Sequence, residues 1–199
     1  IVTIFAILMV VSLFTACGGQ KSADTIKIGI NLELSGAAAS YGEETLRGME
    51  MAIEEINAAG GVNGKKIEVV KYDNKSEAAE STTLATKLMT QDKVLVVLGP
   101  ATTGAFKAEI PVANQKKIPV ITGSATADSV TVDASGVKEY AFRICFNDSY
   151  QGATMAKFAS SNLSKTKAVV LKDSSSDYGT GLAESFKTAF TAAGGSIVA

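Results

Sequence analysis

Histidine is absent from all 199 residues of this chain. That excludes a Ser-His-Asp or Cys-His triad and any His-ligated metal centre. Cysteine is nearly as scarce, with only Cys17 and Cys145 present, so no disulfide framework can staple the fold. No charge of either sign dominates. Lys and Arg number 19 against 20 Asp and Glu, a net charge of −1, whereas nucleic-acid binders need a basic face that displaces counterions. What remains is an ordinary globular composition, 46% hydrophobic and 20% charged, able to build a core.

A nearly unbroken apolar run occupies residues 1–16 and ends in Leu13-Phe14-Thr15-Ala16-Cys17-Gly18-Gly19. An apolar h-region followed by small residues reads as a secretory signal peptide rather than as part of the fold. The Ala16-Cys17 junction resembles the lipobox of bacterial lipoproteins, with Phe14 standing where Leu is usual. That resemblance implies that Cys17 is lipidated and that residues 17–24 form a polar linker from the anchor. A plain secretory peptide and the end of a transmembrane anchor are the alternatives, and each places the rest outside the cytoplasm. The chain begins at Ile1 without a basic n-region and stops at Ile197-Val198-Ala199, where a new strand opens. A fragment truncated at both ends is the expectation. With Cys17 lipidated, Cys145 is unpaired, and its apolar run Tyr140–Phe146 marks it as a buried free thiol.

From residue 26 the chain alternates strand and helix patterns. Ile26, Ile28, Ile30 and Leu32 alternate with Lys27, Gly29, Asn31 and Glu33, the period of a strand. Leu46, Met49, Ile53 and Ile56 recur at helical spacing within 43–59, and Gly60-Gly61 supplies the stop. Strands follow at 66–72 and 119–122, and the continuous run Val94–Leu98 predicts a strand buried on both faces. Helices are expected at 77–91 and 104–116, the latter kinked or cut short at Pro111. After a loop to Lys138 and the run 140–146 come helix 149–163, strand 168–171, helix 178–193 and a strand from Ser196. Such units of about 25–30 residues argue for α/β architecture, with parallel sheets covered by helices on both faces.

In that architecture ligands sit beyond the carboxyl ends of the strands. The loops there are 34–42, 99–104, 122–126 and 173–179, all rich in Gly, Ser, Thr and Ala. Only the last carries an acid or base. Backbone N–H and hydroxyl groups suit the capture of a small polar ligand, and acid–base chemistry needs more than they offer. Two look-alikes fall away. Gly61-Val62-Asn63-Gly64-Lys65-Lys66 lacks the spacing of a phosphate loop, and Gly179-Thr180-Gly181 lacks the third glycine of a dinucleotide fingerprint. Glu54-Glu55 and the Glu77/Glu80 cluster read as solvated helix faces.

The order and spacing of these pieces resemble the leucine/isoleucine/valine-binding proteins of branched-chain amino-acid ABC transporters. The carriers are Ser35-Gly36 with Tyr41-Gly42, the run Ile56-Asn57-Ala58-Ala59-Gly60-Gly61-Val62-Asn63-Gly64-Lys65, and Gly99-Pro100 with Thr103. Further on come Ser124-Ala125-Thr126, Phe142-Arg143, Tyr150-Gln151-Gly152 and Asp177-Tyr178-Gly179. The resemblance implies a type I periplasmic-binding fold of two doubly wound lobes. Residues 25–139 would form the first lobe, 140–147 a hinge crossing and 148–199 the start of a truncated second lobe.

It also implies roles for single residues. Thr103, with the N–H groups of the helix it opens, would bind a ligand carboxylate. Ser124, Ala125 and Thr126 would hold the α-amino and α-carboxyl groups. Tyr178 would close over the ligand from the second lobe, and Tyr41 would line the mouth. Ala101 and Thr102 lie at the ligand side chain, with Ala101 smaller than the Leu of the best-known family member. The implied protein is a monomer that takes an amino acid and hands it to a permease, without cofactor or reaction. A ligand-sensing receptor domain and an extracytoplasmic enzyme are the competing readings. Against the enzyme stand the missing His and the lack of a Gly-x-Ser-x-Gly elbow.

Overall fold

A computed structural model describes residues 25–199; the signal-peptide, linker and Cys17 readings fall outside them. The chain runs β1 (Ile26–Leu32), α1 (Ala39–Ala58), β2 (Ile67–Asp73), α2 (Ala78–Thr90), β3 (Val97–Leu98), α3 (Thr103–Lys116) and β4 (Val120–Thr122). A short hairpin follows, β5 (Val132–Asp133) with β6 (Gly136–Val137), and then β7 (Ala141–Arg143). Beyond it lie α4 (Asp148–Lys157), β8 (Lys167–Ala168), α5 (Asp177–Ala192) and β9 (Ser196–Ile197). Five strands form one parallel sheet in the order β2-β1-β3-β4-β7, and β8 pairs in parallel with β9.

Helices cover both faces of the main sheet, and β1 shows why its alternating sequence suits this. Ile30 and Leu32 turn to one face and pack with Ala101 against Leu46, Met49 and Ile53 of α1. The alternate residues turn to the other face, beneath α2 and α3. There a Cβ on Gly29 would lie 3.0 Å from a Leu88 methyl. Leu88, Val97, Phe106 and Val120 are fully buried in that second layer, each stabilising the fold by about 1.5–3 kcal/mol.

The same layer holds polar groups. Asn31 donates to Ser81 O (3.0 Å) and to Glu109 Oε2 (2.8 Å), and Asn74 donates to Asn31 Oδ1 (3.4 Å). All four residues are fully buried. Burial pushes the Glu109 carboxyl well above the ordinary glutamate range; the Asn31 bond pulls it down and the Glu33 charge pushes it up again. The folded state therefore keeps a proton that the unfolded chain releases near 4.5. Stability from this site is full below that value and is lost as pH rises toward the folded one. Glu109→Gln keeps the acceptor for Asn31 and cannot ionise. Its melting temperature should exceed that of the wild type at pH 8 and match it at pH 4.

Local signals set the ends of the helices. Gly60 and Gly61, at φ 110° and 84°, close α1 with Gly61 N donating to Ile56 O (2.8 Å) and Gly60 N to Asn57 O (3.2 Å), a pair of bonds that satisfies the last carbonyls. The Asn147 side chain accepts from Tyr150 N at the start of α4, and Ser176 Oγ accepts from Gly179 N at the start of α5. Those two helices cross at Gly152, where an added Cβ would lie 2.6 Å from Phe186 N.

Three expectations need correction and one is refined. Val94–Leu98 is not buried on both faces throughout: Val94 and Val97 are buried, but Leu95 is 63% exposed at the amino-terminal rim, and only Val97–Leu98 is regular strand. Pro111 neither ends nor shortens α3, which continues to Lys116 at the cost of the bond Pro cannot donate. The helix expected over 149–163 is present, as α4 running on into a π-helix at Phe158–Asn162. Cys145 is half-buried rather than buried, with its thiol 3.7 Å from Ala125 O. Its apolar neighbours Phe142, Ile144 and Phe146 are exposed. Partial burial still pushes the thiol up from its ordinary value, which makes it a poor nucleophile.

Candidate functional site

Because the five strands are parallel, the loops after β1, β3, β4 and β7 emerge along one edge. β1 is flanked by β2 on one side and β3 on the other, so the connections diverge there, the position at which sheets of this kind open a ligand crevice. Glu33 and residues 99–103 stand on its two sides.

Glu33 is fully buried. Its carboxylate accepts from Ala101 N (3.0 Å), Thr102 N (3.0 Å) and Thr102 Oγ1 (2.7 Å), tying the β1 loop to the approach of α3. Asp73 pins the other side of the β1 loop, accepting from Leu34 N (2.9 Å), Ser35 N (3.1 Å) and Ser35 Oγ (2.6 Å). Partial burial pushes Asp73 upward, but these donors and Lys75 N outweigh it and hold its carboxyl below the usual range.

The β3 and β4 loops are stitched to each other in the same way. Thr122 Oγ1 donates to Pro100 O (2.7 Å) and accepts from Ala125 N (3.0 Å), while Ser124 Oγ donates to Ala101 O (2.7 Å). The hydroxyls of Thr102, Thr122 and Ser124 are thus committed to the scaffold. Two others are not. Thr103 Oγ1, on the first residue of α3, and Thr126 Oγ1 are both buried without a hydrogen-bond partner. A buried unpaired hydroxyl costs about 1–3 kcal/mol, so each calls for a function.

Thr126 also marks the junction with α4. Its carbonyl accepts from Asp148 N (2.8 Å) and from Arg143 Nη1 (3.0 Å). Asp128 accepts from Ser149 N (3.1 Å) and Ser149 Oγ (2.8 Å), fastening the start of α4 to the β4 loop. The Asp148 carboxylate is buried and closes no hydrogen bond of good geometry. Burial raises its affinity for a proton; the nearby Thr126 hydroxyl lowers it, Asp128 raises it and Arg143 lowers it.

The remaining candidate residues lie further out. Tyr178 stands at the start of α5, 39% exposed, and its hydroxyl meets the Gln151 amide of α4 at 3.2 Å. Lys107 of α3 reaches Asp177 at 3.0 Å, bringing the start of α5 to the same end of the molecule as Thr103. Tyr41, 68% exposed in the first turn of α1, makes no side-chain bond to the other candidates. Two shallow grooves, one between α4 and α5 and one beneath Phe146 and Tyr150, do not touch the loops after β1, β3 and β4. Sequence reasoning passed over Glu33, Glu109 and Asp148. Only Glu109 carried a signal, sharing the apolar stripe of α3 with Phe106, Ile110 and Ala113.

Residues 25–199 match the family model described as periplasmic binding protein. The chain belongs to that family. Its fold is the family's type I architecture, and family members bind substrates for transport. A leucine-, isoleucine-, valine-, threonine- and alanine-binding protein of Pseudomonas aeruginosa is 34% identical over 175 residues, which cover 88% of this chain and 46% of the relative. A branched-chain amino acid transporter substrate-binding protein of Streptococcus pneumoniae, solved with isoleucine, superposes with a TM-score of 0.80 at 44% identity. That match covers 88% of this chain and 48% of the pneumococcal one. A solute-binding protein of Rhodopseudomonas palustris, solved with 3,4-dihydroxybenzoic acid, superposes at 0.78 with 31% identity, covering 88% of this chain and 46% of its own. The chain spans about half the length of these relatives. Among the described residues no helix is long and apolar enough to cross a membrane.

Proposed function

We propose that this chain is part of an extracytoplasmic substrate-binding protein that captures a small amino acid and delivers it to an ABC transporter permease. One observation carries the reading. Of the hydroxyls on the β3 and β4 loops, those of Thr103 and Thr126 are held buried and unpaired while their neighbours are tied into the scaffold. Thr103 opens α3, whose first N–H groups suit an anion, so a ligand carboxylate belongs there. Thr126 lies in the adjoining loop after β4. Relatives named for branched-chain amino acids support the ligand class.

In this reading residues 25–139 form one lobe, 140–147 cross a hinge and 148–199 begin a second lobe. Tyr178, held by Gln151, closes over the ligand, while Tyr41, Ala101 and Thr102 line the mouth. Closure follows occupancy, since the closed form gains contacts from both lobes at once. Cys17 anchors the protein to the membrane through lipid, and Cys17→Ser should release it into the soluble fraction.

A thermal-shift panel on the intact protein tests the ligand. L-leucine, L-isoleucine, L-valine and L-alanine are compared with benzoate and a sugar. A ligand at 100-fold its Kd adds about 2.7 kcal/mol of stability, so the cognate amino acid should raise Tm by several degrees. A shift with benzoate and none with any amino acid would overturn the reading.

A further inference from the structure

From the placement of Glu33 we infer that it is a positioning residue that sets ligand charge: locked onto the Ala101 and Thr102 amides, its carboxylate favours ligands bearing an ammonium and disfavours simple carboxylate anions at Thr103. The inference rests on the amino-acid reading above and deepens it.

The start of a helix attracts anions through unpaired N–H groups and the aligned peptide dipoles. Here an anion of the protein's own is already in place. Glu33 is fully buried and takes three donors, Ala101 N, Thr102 N and Thr102 Oγ1. A ligand carboxylate at Thr103 must therefore settle one residue away from a buried like charge. A ligand with a net negative charge feels that repulsion in full. A zwitterion does not, because its ammonium is drawn to the same carboxylate. The field of Glu33 does act across this part of the interior: it raises the proton affinity of Glu109 on α3. Relatives of the same fold have been solved with aromatic acids and with an amino acid, so a charge filter at this point separates two ligand classes that the architecture accepts.

The test compares L-leucine with 4-methyl-2-oxopentanoate, the same skeleton with the ammonium replaced by a carbonyl. Titration calorimetry on the intact wild-type protein should show leucine binding at least tenfold tighter. In Glu33→Gln the ratio of the two Kd values should fall about tenfold, chiefly because the oxo acid binds better. Glu33→Asp shortens the side chain but keeps the charge, so it should weaken both ligands and preserve the ratio. A purely structural role for Glu33 would instead weaken both ligands equally in Glu33→Gln, or change the ratio alike in both variants; either result overturns the inference while leaving the amino-acid reading intact. The ratio is independent of the folded fraction, and equal binding of the two ligands by the wild type would also overturn the inference. A wild type that binds neither removes the amino-acid reading and this inference with it.

Discussion

Thr103→Val is expected to weaken amino-acid binding by about 10- to 100-fold without destabilising the ligand-free protein. Valine keeps the branched shape of threonine and its conformational preferences, so the packing around residue 103 is preserved. What disappears is a buried hydroxyl that has no partner in the protein. Removing an unsatisfied buried group costs nothing and can return about 1 kcal/mol. A hydrogen bond to a charged ligand group is worth about 1.5–3 kcal/mol, which at about 1.4 kcal/mol per decade gives the stated loss. Thr126→Val is a less clean test, because the Thr126 hydroxyl also lowers the proton affinity of the buried Asp148 carboxylate, so its loss should lower stability as well as binding. Thr122→Val is the contrast. Its hydroxyl serves Pro100 O and Ala125 N, so its removal should lower the melting temperature even without ligand. Calorimetric unfolding paired with ligand titration separates the two classes. A Thr103→Val protein that melts early and binds as before would make that hydroxyl structural.

The same distinction shows how far the sequence could be read. Strand and helix order was legible because each unit carries its own punctuation, such as the Gly60-Gly61 stop and the polar caps Asn147 and Ser176. Parallel strands then oblige every functional loop to one edge, so the loops too could be found. Which hydroxyls within a loop remain free was not legible, since Thr102 and Thr103 are the same residue type side by side. The choice between them is made by Glu33, 69 residues from Thr102 in the chain and brought to it only by tertiary folding. β1 carries the deeper ambiguity. Asn31 and Glu33 occupy the polar positions of an alternating strand, a pattern equally suited to a wet face or to a polar network under a second helix layer. Pro111 did not cut its helix short, because a helix with a buried face can carry one missing bond when packing outweighs the local loss.

Gly99→Ala should be among the most damaging single methyls in the described structure, lowering stability by about 3–5 kcal/mol and Tm by roughly 10 °C. Gly99 follows β3 and leads into the loop that presents Thr103. Its φ of 97° is a conformation that residues with a Cβ avoid, at about 1–3 kcal/mol. The space is closed as well. A Cβ would stand 2.1 Å from Asn31 O and 2.9 Å from a Leu32 methyl, and the first of these is strand backbone that cannot rotate away. Relief must come from displacing the β3 loop away from β1, which strains the bonds from Ala101 and Thr102 to Glu33. Binding should therefore weaken along with stability, by at least tenfold at temperatures where the variant is still folded. Gly48→Ala supplies the opposite sign from the same chemical change. Gly48 lies within α1 with nothing inside 4 Å of its added Cβ, so alanine should stabilise by about 0.5–1 kcal/mol through helix propensity. Equal effects at the two positions would mean that the close approach of the β3 loop to β1 at Gly99 does not exist, and the geometry that holds Thr103 at the crevice would fail with it.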